Sequence, residues 1–379
     1  MTATDIDEQD LAELRSRLGK PVSVSIEPYL TEATFDVIRH WAQALGDRNP
    51  LWRDPVYARE WGFADVLAPP TILFAFDRLA IGYRGGLPGV HSFFGGTRFA
   101  WQRPIARNSG VATTVIFKDL LERTSEFGGR SFQQLSEITF ADREDGQPLA
   151  VAESWGIRVS RREGKNRGKL KAIETAQYVP EDIAAIADEY AREHVQTEPL
   201  LGKEVQVGQD LPSIVRGPYT LTNVVAFEQA WGGLFIMSHG EWFDYLQRHP
   251  ALGITNSYGV PEPPEAVHWS EEFARSTGVP SPYDYGPERI SWLGVLLTNW
   301  IGPSGFLSKL DAQVRRFNLI GDLTRCHGKV TGVRPDGDQV AVDLDVWGEN
   351  QRGEKTVLGS AEVVLPTSPD QRQSDLRVS

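Results

Sequence analysis

The 379-residue sequence predicts an α+β protein built from two similar halves. Three observations carry that prediction. The chain is longer than a usual single domain, so two domains are expected. Helix-like and strand-like segments recur in the same order in both halves. The halves also correspond residue by residue: adding 216 carries Trp52 onto His268, Tyr57 onto Phe273, Ala58 onto Ala274, Gly62 onto Gly278 and Pro70 onto Gly286. Upstream the shift is 186, bringing Ala44 to Ala230, Gly46 to Gly232 and Asp47 to Gly233, so the second half carries an insertion of 30 residues. Duplication accounts for the shared order better than chance does.

Each element has a local reason. Residues 1–19 read as a short acidic helix, and Ala33 to Leu45 as an amphipathic one. After a Pro-punctuated loop, an apolar helix is expected from Pro70 to Tyr83, then strands near 111–118, 131–142 and 149–160. A basic stretch, Arg161 to Lys171, reads as a solvated linker, with contact to ligand phosphates as the other reading. Pro180-Glu-Asp then opens a helix with proline and acid in its first turn, where the helix dipole favours negative charge. The second half predicts helices from Asn223 to Trp231 and from Gly286 to Trp300, followed by strands near 324–333, 339–348 and 355–365. In the middle one of these, Val340, Val342, Leu344 and Val346 alternate with Asp343 and Asp345. The expected division is 1–160 for the first domain, 161–196 for a linker with its helix, 197–366 for the second domain and 367–379 for a polar tail.

Composition narrows the function. Hydrophobic residues at 40% and charged residues at 24% are those of a soluble globular protein. A net charge of −12 argues against nucleic acid as a partner, because polyanions need a basic face. A single cysteine, Cys326, fits a reducing compartment, and its strand-like setting reads as inert. The apolar run from Leu293 to Ile301 falls well short of the ~20 residues needed to span a membrane. The acidic start has no signal-peptide pattern, so a cytoplasmic location and no membrane association are expected. Motifs for zinc proteases, dinucleotide binding and serine hydrolases are missing, and no metal or cofactor is expected. Ser304, within Gly302-Pro-Ser-Gly305, reads as helix-end punctuation.

The segment Gly46 to Leu73, GDRNPLWRDPVYAREWGFADVLAPPTIL, resembles the first domain of MaoC-like dehydratases and R-specific enoyl-CoA hydratases. That family pattern runs Gly-Asp-x-Asn-Pro-aliphatic-His, followed about eighteen residues later by an Ala-His-Gly turn opening the central helix. His268-Trp-Ser-Glu-Glu-Phe-Ala274 and Tyr283-Asp-Tyr-Gly286 match its later part. The resemblance implies a double hot-dog fold: two tandem domains, each an antiparallel sheet wrapped round a long central helix, with the sheets side by side. It also implies a hydratase or dehydratase interconverting 2-enoyl and 3-hydroxyacyl thioesters of CoA or a carrier protein. In the family an Asp and a His five positions apart hold the catalytic water, and a backbone N–H at the helix start polarises the thioester carbonyl.

Here the dyad is split. Asp47 and Asn49 stay in the first half, but Trp52 stands where the His belongs. His268 stays in the second half, but Gly233 stands at the Asp position. Asp47-Arg-Asn-Pro can be a plain turn, and Pro70 has no N–H to offer an oxygen. The working site is therefore expected in the second half, with His268 as base and Gly286, eighteen residues on, giving the N–H. A core histidine is the bland alternative. Its carboxylate partner is expected to be Asp284, with Glu265 or the insertion residues His239, Glu241, Asp244 and Tyr245 also open. Asn49, Trp52 and Tyr283 would line the substrate tunnel, and Arg315 and Arg316 would meet CoA or phosphopantetheine phosphates unless they are an exposed strand face. Eleven tryptophans point to a bulky acyl group. An acyl-thioester-binding subunit without activity, a hot-dog thioesterase and a homodimer all remain open.

Overall fold

The computed structural model describes residues 6–24, 26–87, 90–124, 130–159 and 173–371. The basic stretch Arg161 to Lys171 and the end of the polar tail lie outside the described residues.

One antiparallel sheet of ten strands organises the chain. Its strands are β1 (Pro21–Val22), β2 (His91–Trp101), β3 (Val111–Thr124), β4 (Arg130–Asp142), β5 (Pro148–Val159), β6 (Ile214–Arg216), β7 (Phe306–Val314), β8 (Thr324–Asp336), β9 (Gln339–Asn350) and β10 (Lys355–Pro366). They lie in the order β1-β3-β4-β5-β2-β7-β10-β9-β8-β6, which reads the same from either end once the halves are equated. The halves join where β2 pairs with β7, with Lys309 opposite Ala100 and Gln313 opposite Gly96. All six strands expected after the two central segments are present. Period-two alternation is local information, and buried Val342, Leu344 and Val346 show it in β9.

The helices used below are α1 (Glu8–Arg15), α2 (Phe35–Ala44), α3 (Pro55–Glu60), α4 (Pro180–Ala191), α5 (Leu221–Trp231), α6 (His239–Arg248), α7 (Glu271–Ser276) and α8 (Gly286–Ile301). The shift of 216 carries both ends of α3 onto those of α7. The shift of 186 pairs Trp41 of α2 with Phe227 of α5, whose rings meet at 5.6 Å between the two helices. Helix α8 is the central helix of the second half. Every residue from Pro287 to Ile301 is buried, as expected of a helix enclosed on all sides. No described helix is long and apolar enough to cross a membrane.

The first half departs from the expected central helix. Only Pro70–Ala75 is helical, as a short 3-10 segment, and the chain beyond it runs in turns. Gly82 adopts φ of +91°, and its Cα lies so near Ser154 that a Cβ would come within 2.9 Å of that carbonyl oxygen. Polar side chains on the facing strands replace the missing helical hydrogen bonds. Ser154 Oγ donates to Ala80 O at 2.7 Å, Tyr83 N–H donates to Ser136 Oγ at 2.9 Å, and Gln134 Nε2 donates to Gly85 O at 3.2 Å. Arg158 donates to the carbonyls of Arg84 and Leu87. A buried backbone must pair its polar groups, and here the sheet does this for an unwound segment.

Candidate active site

The first-half position is chemically closed. Asp47 lies at the end of α2 and is fully buried. Its Oδ1 accepts from Asn49 N–H at 2.9 Å, and its Oδ2 accepts from Trp52 Nε1 at 2.8 Å. An indole N–H only donates, so Trp52 cannot take a proton from water as a histidine would. Burial pushes the Asp47 carboxyl up to about 6, while the Asn49 and Trp52 hydrogen bonds and nearby Arg216 pull it down. Asn49 caps the Pro50–Trp52 turn through Leu51 N–H, and its Nδ2 donates to Thr298 O near the end of α8. Trp52, Pro70 and Trp101 line a small open cleft of about 30 Å³ with Thr298, Ile301 and Phe306. This cleft lies beside the first-half position, which lacks the histidine. Asp47→Asn should keep turnover within about threefold of wild type and alter stability or chain-length preference instead. A loss of about 10³-fold with folding and binding intact would restore Asp47 as a base.

The second-half position is open in a different way. His268 ends the short 3-10 turn Pro264–His268 and is partly buried. Its Nδ1 lies 2.8 Å from Tyr283 O. A carbonyl only accepts, so Nδ1 carries the proton and Nε2 presents a lone pair. Nε2 has no hydrogen-bond partner among the described residues. Desolvation and nearby Arg84 lower the ring to about 3, against the Tyr283 hydrogen bond, so it is neutral at physiological pH. The ring lies 3.8 Å from that of Tyr285 and meets Tyr283 edge-on at 4.8 Å. Tyr285 is the N-cap of α8, so the next N–H, that of Gly286, stands at the positive end of a 16-residue helix. Gly286 is partly exposed between buried neighbours, and its N–H has no acceptor among the described residues. A Cβ there would meet Phe94 of β2 at 2.1 Å, so only glycine fits.

Asp284 is not brought to His268. It is fully buried in an ion pair with Arg289, whose Nε donates to Oδ2 at 2.8 Å and whose Nη2 donates to Oδ1. Asn318 Nδ2 donates to the same Oδ2 at 3.1 Å. The Tyr283 ring packs with Val267, Phe273 and Leu319, and its carbonyl is what touches the histidine. Arg315 and Arg316 follow the end of β7 and are exposed, Arg316 beside Glu354 at 3.8 Å. Of the insertion residues, Tyr245 is buried against Trp242, while His239, Glu241 and Asp244 are exposed.

Sequence reasoning missed Glu228, Tyr285, Arg78 and Arg84. These partly or fully buried polar groups gather with Glu265 near His268. Glu265 accepts from Leu234 N–H at 2.9 Å and Phe235 N–H at 2.8 Å. Arg78 donates to the carbonyls of Gly233 and Leu234. Arg84 is pushed down to about 10 by burial, and its Nε and Nη2 have no hydrogen-bond partner among the described residues. One sequence signal existed: Glu228 interrupts the apolar stripe Val224, Phe227, Trp231 on α5, where a carboxylate must be buried.

Residues 22–148 match the family described as FAS1-like, dehydratase domain region. A UPF0336 protein of Saccharopolyspora erythraea is 34% identical over 129 residues, covering 32% of this chain and 78% of that protein. One from Thermobifida fusca is 34% identical over 111 residues, 28% of this chain and 71% of that one. For a Streptomyces avermitilis UPF0336 protein the figures are 37% over 93 residues, 23% and 61%, so the chain spans three-fifths of that relative's length. A solved MaoC-like dehydratase superposes at TM-score 0.64 with 17% identity, covering 94% of this chain and 100% of that one. A Mycobacterium tuberculosis protein with a double hot-dog fold superposes at 0.54 with 12% identity, covering 92% and 96%. Fold and site together define a double hot-dog protein. The chain belongs with the UPF0336 proteins, and it shares its fold with a MaoC-like dehydratase.

Proposed function

We propose that this protein interconverts 2-enoyl and 3-hydroxyacyl thioesters, carried on CoA or a carrier protein, at the second-half site. The observation behind this is the pairing of a free His268 Nε2 lone pair with the unoccupied Gly286 N–H at the start of α8. In hydration, Nε2 takes a proton from water while the water oxygen bonds to the β-carbon. The C=C electron pair moves toward the thioester oxygen, which the Gly286 N–H and the helix dipole stabilise. Burial makes protonated His268 strongly acidic, so it passes the proton on to the α-carbon, completing the addition of water. Dehydration runs the same steps backward.

Incubating the purified chain with a panel of 2-enoyl-CoAs tests this reading. Formation of 3-hydroxyacyl-CoA is expected. Release of free CoA would instead establish a thioesterase, and binding without turnover a non-catalytic acyl-thioester-binding subunit.

A further inference from the structure

The unwound segment of the first half ends at Arg84, whose guanidinium meets no acceptor among the described residues. Arg158 of β5 donates to the carbonyls of Arg84 and Leu87, so the backbone that presents Arg84 is fixed. The side chain lies over the Phe94 ring, 5.7 Å from its centroid. That ring also takes the place of a side chain at Gly286, 2.1 Å from where a Cβ would stand, so one aromatic ring separates Arg84 from the start of α8. Arg84 Nε lies 3.7 Å from the Cβ position of Gly156 in β5, and Ser92 Oγ of β2 lies 2.9 Å from that same position. Arg84 Nε, Arg84 Nη2 and Ser92 Oγ are all buried without a hydrogen-bond partner among the described residues. Arg84 as a whole is partly exposed and its Nη1 is not sealed, so the guanidinium stands at the edge of the core.

Unpaired polar atoms gathered this closely call for a ligand or a cause. Nε and Nη2 are the nitrogens whose N–H bonds run parallel, and this chain uses that fork on carboxylates elsewhere. Arg289 grips Asp284 with Nε and Nη2, and Arg325 grips Glu189 with the same two atoms. At Arg84 the fork faces no carboxylate within bonding distance among the described residues. Glu265, whose charge bears on Arg84, is taken by the N–H groups of Leu234 and Phe235. No described carboxylate bears on neighbouring Arg158, which is 2% exposed. Burial pushes both arginines down to about 10, so both stay charged at neutral pH. A buried cation without a counterion is costly, and an incoming anion offsets that cost.

We propose that Arg84 and Ser92 form a subsite for a carboxylate carried on the acyl group, so that the preferred substrate is the monothioester of an unsaturated dicarboxylic acid. This rests on the hydratase reading, which places the thioester carbonyl at the Gly286 N–H. From there the Arg84 fork is one ring's width away, the span of a few carbon atoms. The phosphates of CoA or phosphopantetheine lie on the far side of the sulfur, at the end of a long arm, and do not fit that span. Arg84 Nε and Nη2 each donate to one carboxylate oxygen, and the Ser92 hydroxyl donates to either. The Arg84 charge is also felt at the His268 ring, which puts the subsite beside the reacting carbons.

A pair of 2-enoyl-CoAs of equal chain length, one ending in a carboxylate and the other in its methyl ester, tests this with the full chain. Wild type is expected to favour the acid by about 10²-fold in kcat/KM. Arg84→Met should bring that ratio near one, chiefly by raising KM for the acid. Arg84→Lys should restore only part of it, because an ammonium cannot make the fork. Ser92→Ala should lower the ratio by about fivefold. A wild type that turns over both probes equally, or an Arg84→Met protein that keeps the wild-type ratio, would overturn the subsite and leave the hydratase reading standing. If Arg84→Met does not fold, Ser92→Ala and competition by glutarate against the ester probe decide. An unchanged ratio together with no competition would then overturn the subsite. No turnover of these probes or of any neutral 2-enoyl-CoA would overturn the hydratase reading, and calorimetric titration would settle the subsite separately: tighter binding of the acid supports it, and equal binding of acid and ester overturns it.

Discussion

Replacing His268 with alanine is expected to lower turnover by about 10²- to 10⁴-fold while an acyl-CoA still binds. On the proposed mechanism the ring accepts the proton from water beside the Gly286 N–H, and among the described residues it makes no ion pair. The helix start survives the change, so KM or a directly measured Kd should move little. Turnover within a few-fold of wild type would make His268 a core histidine, and the binding-subunit reading would follow. The pH behaviour adds a second readout. The folded-state value lies near 3, below the 6.5 of an unperturbed ring, so the base form persists through mildly acidic pH and His268 gives no acid limb near neutrality. In stability the sign runs the other way from a stabilised imidazolium. The unfolded chain binds the proton between pH 6.5 and about 3, so this group's effect is to weaken the fold as pH falls through that window. His268→Ala should soften that part of the acid sensitivity.

Asp284→Ala should destabilise the protein by about 3–5 kcal/mol, readable as a shift of the urea midpoint. Asp284 and Arg289 are both nearly inaccessible to solvent, at 1% exposure each. Burial pushes the Asp284 carboxyl up, and the Arg289 guanidinium and Asn318 amide pull it back. Removing the carboxylate strands a buried guanidinium whose remaining bonds go to the carbonyls of Arg316 and Thr356. The cost comes from that stranded charge, not from any large net worth of the pair. Replacing both partners with apolar residues, Asp284→Leu with Arg289→Met, should therefore recover much of the loss. A stable Asp284→Ala protein with turnover reduced as far as in His268→Ala would reverse the assignment and return Asp284 to the chemistry.

Neighbours in sequence were a poor guide to which carboxyls gather near His268. Asp284 lies beside the helix start, but it bonds Arg289, five residues on and one helical turn up, inside the core. Glu228 lies forty residues before the histidine, and only the fold brings it beside Glu265 of the turn that ends in His268. The same contrast separates the two central segments. Pro70 to Tyr83 is nearly as apolar as α8, and its apolar content alone predicts a helix. What unwinds it is Gly82 together with Gln134, Ser136, Ser154 and Arg158, which reach across from strands β4 and β5 to bind its backbone.

The sequence by itself determined the duplication, the strands, α8 with Gly286 at its start, and the split of Asp47 from His268. These are written in local periodicity and in the spacing between residues, which one chain carries without its fold. Only the tertiary structure decided that Trp52 seals Asp47, that Asp284 belongs to the core, and that Glu228 and Glu265 fill the space beside Gly233. Which side chains meet depends on how helices and sheet dock, because burial and hydrogen-bond geometry are set by the neighbours that docking supplies.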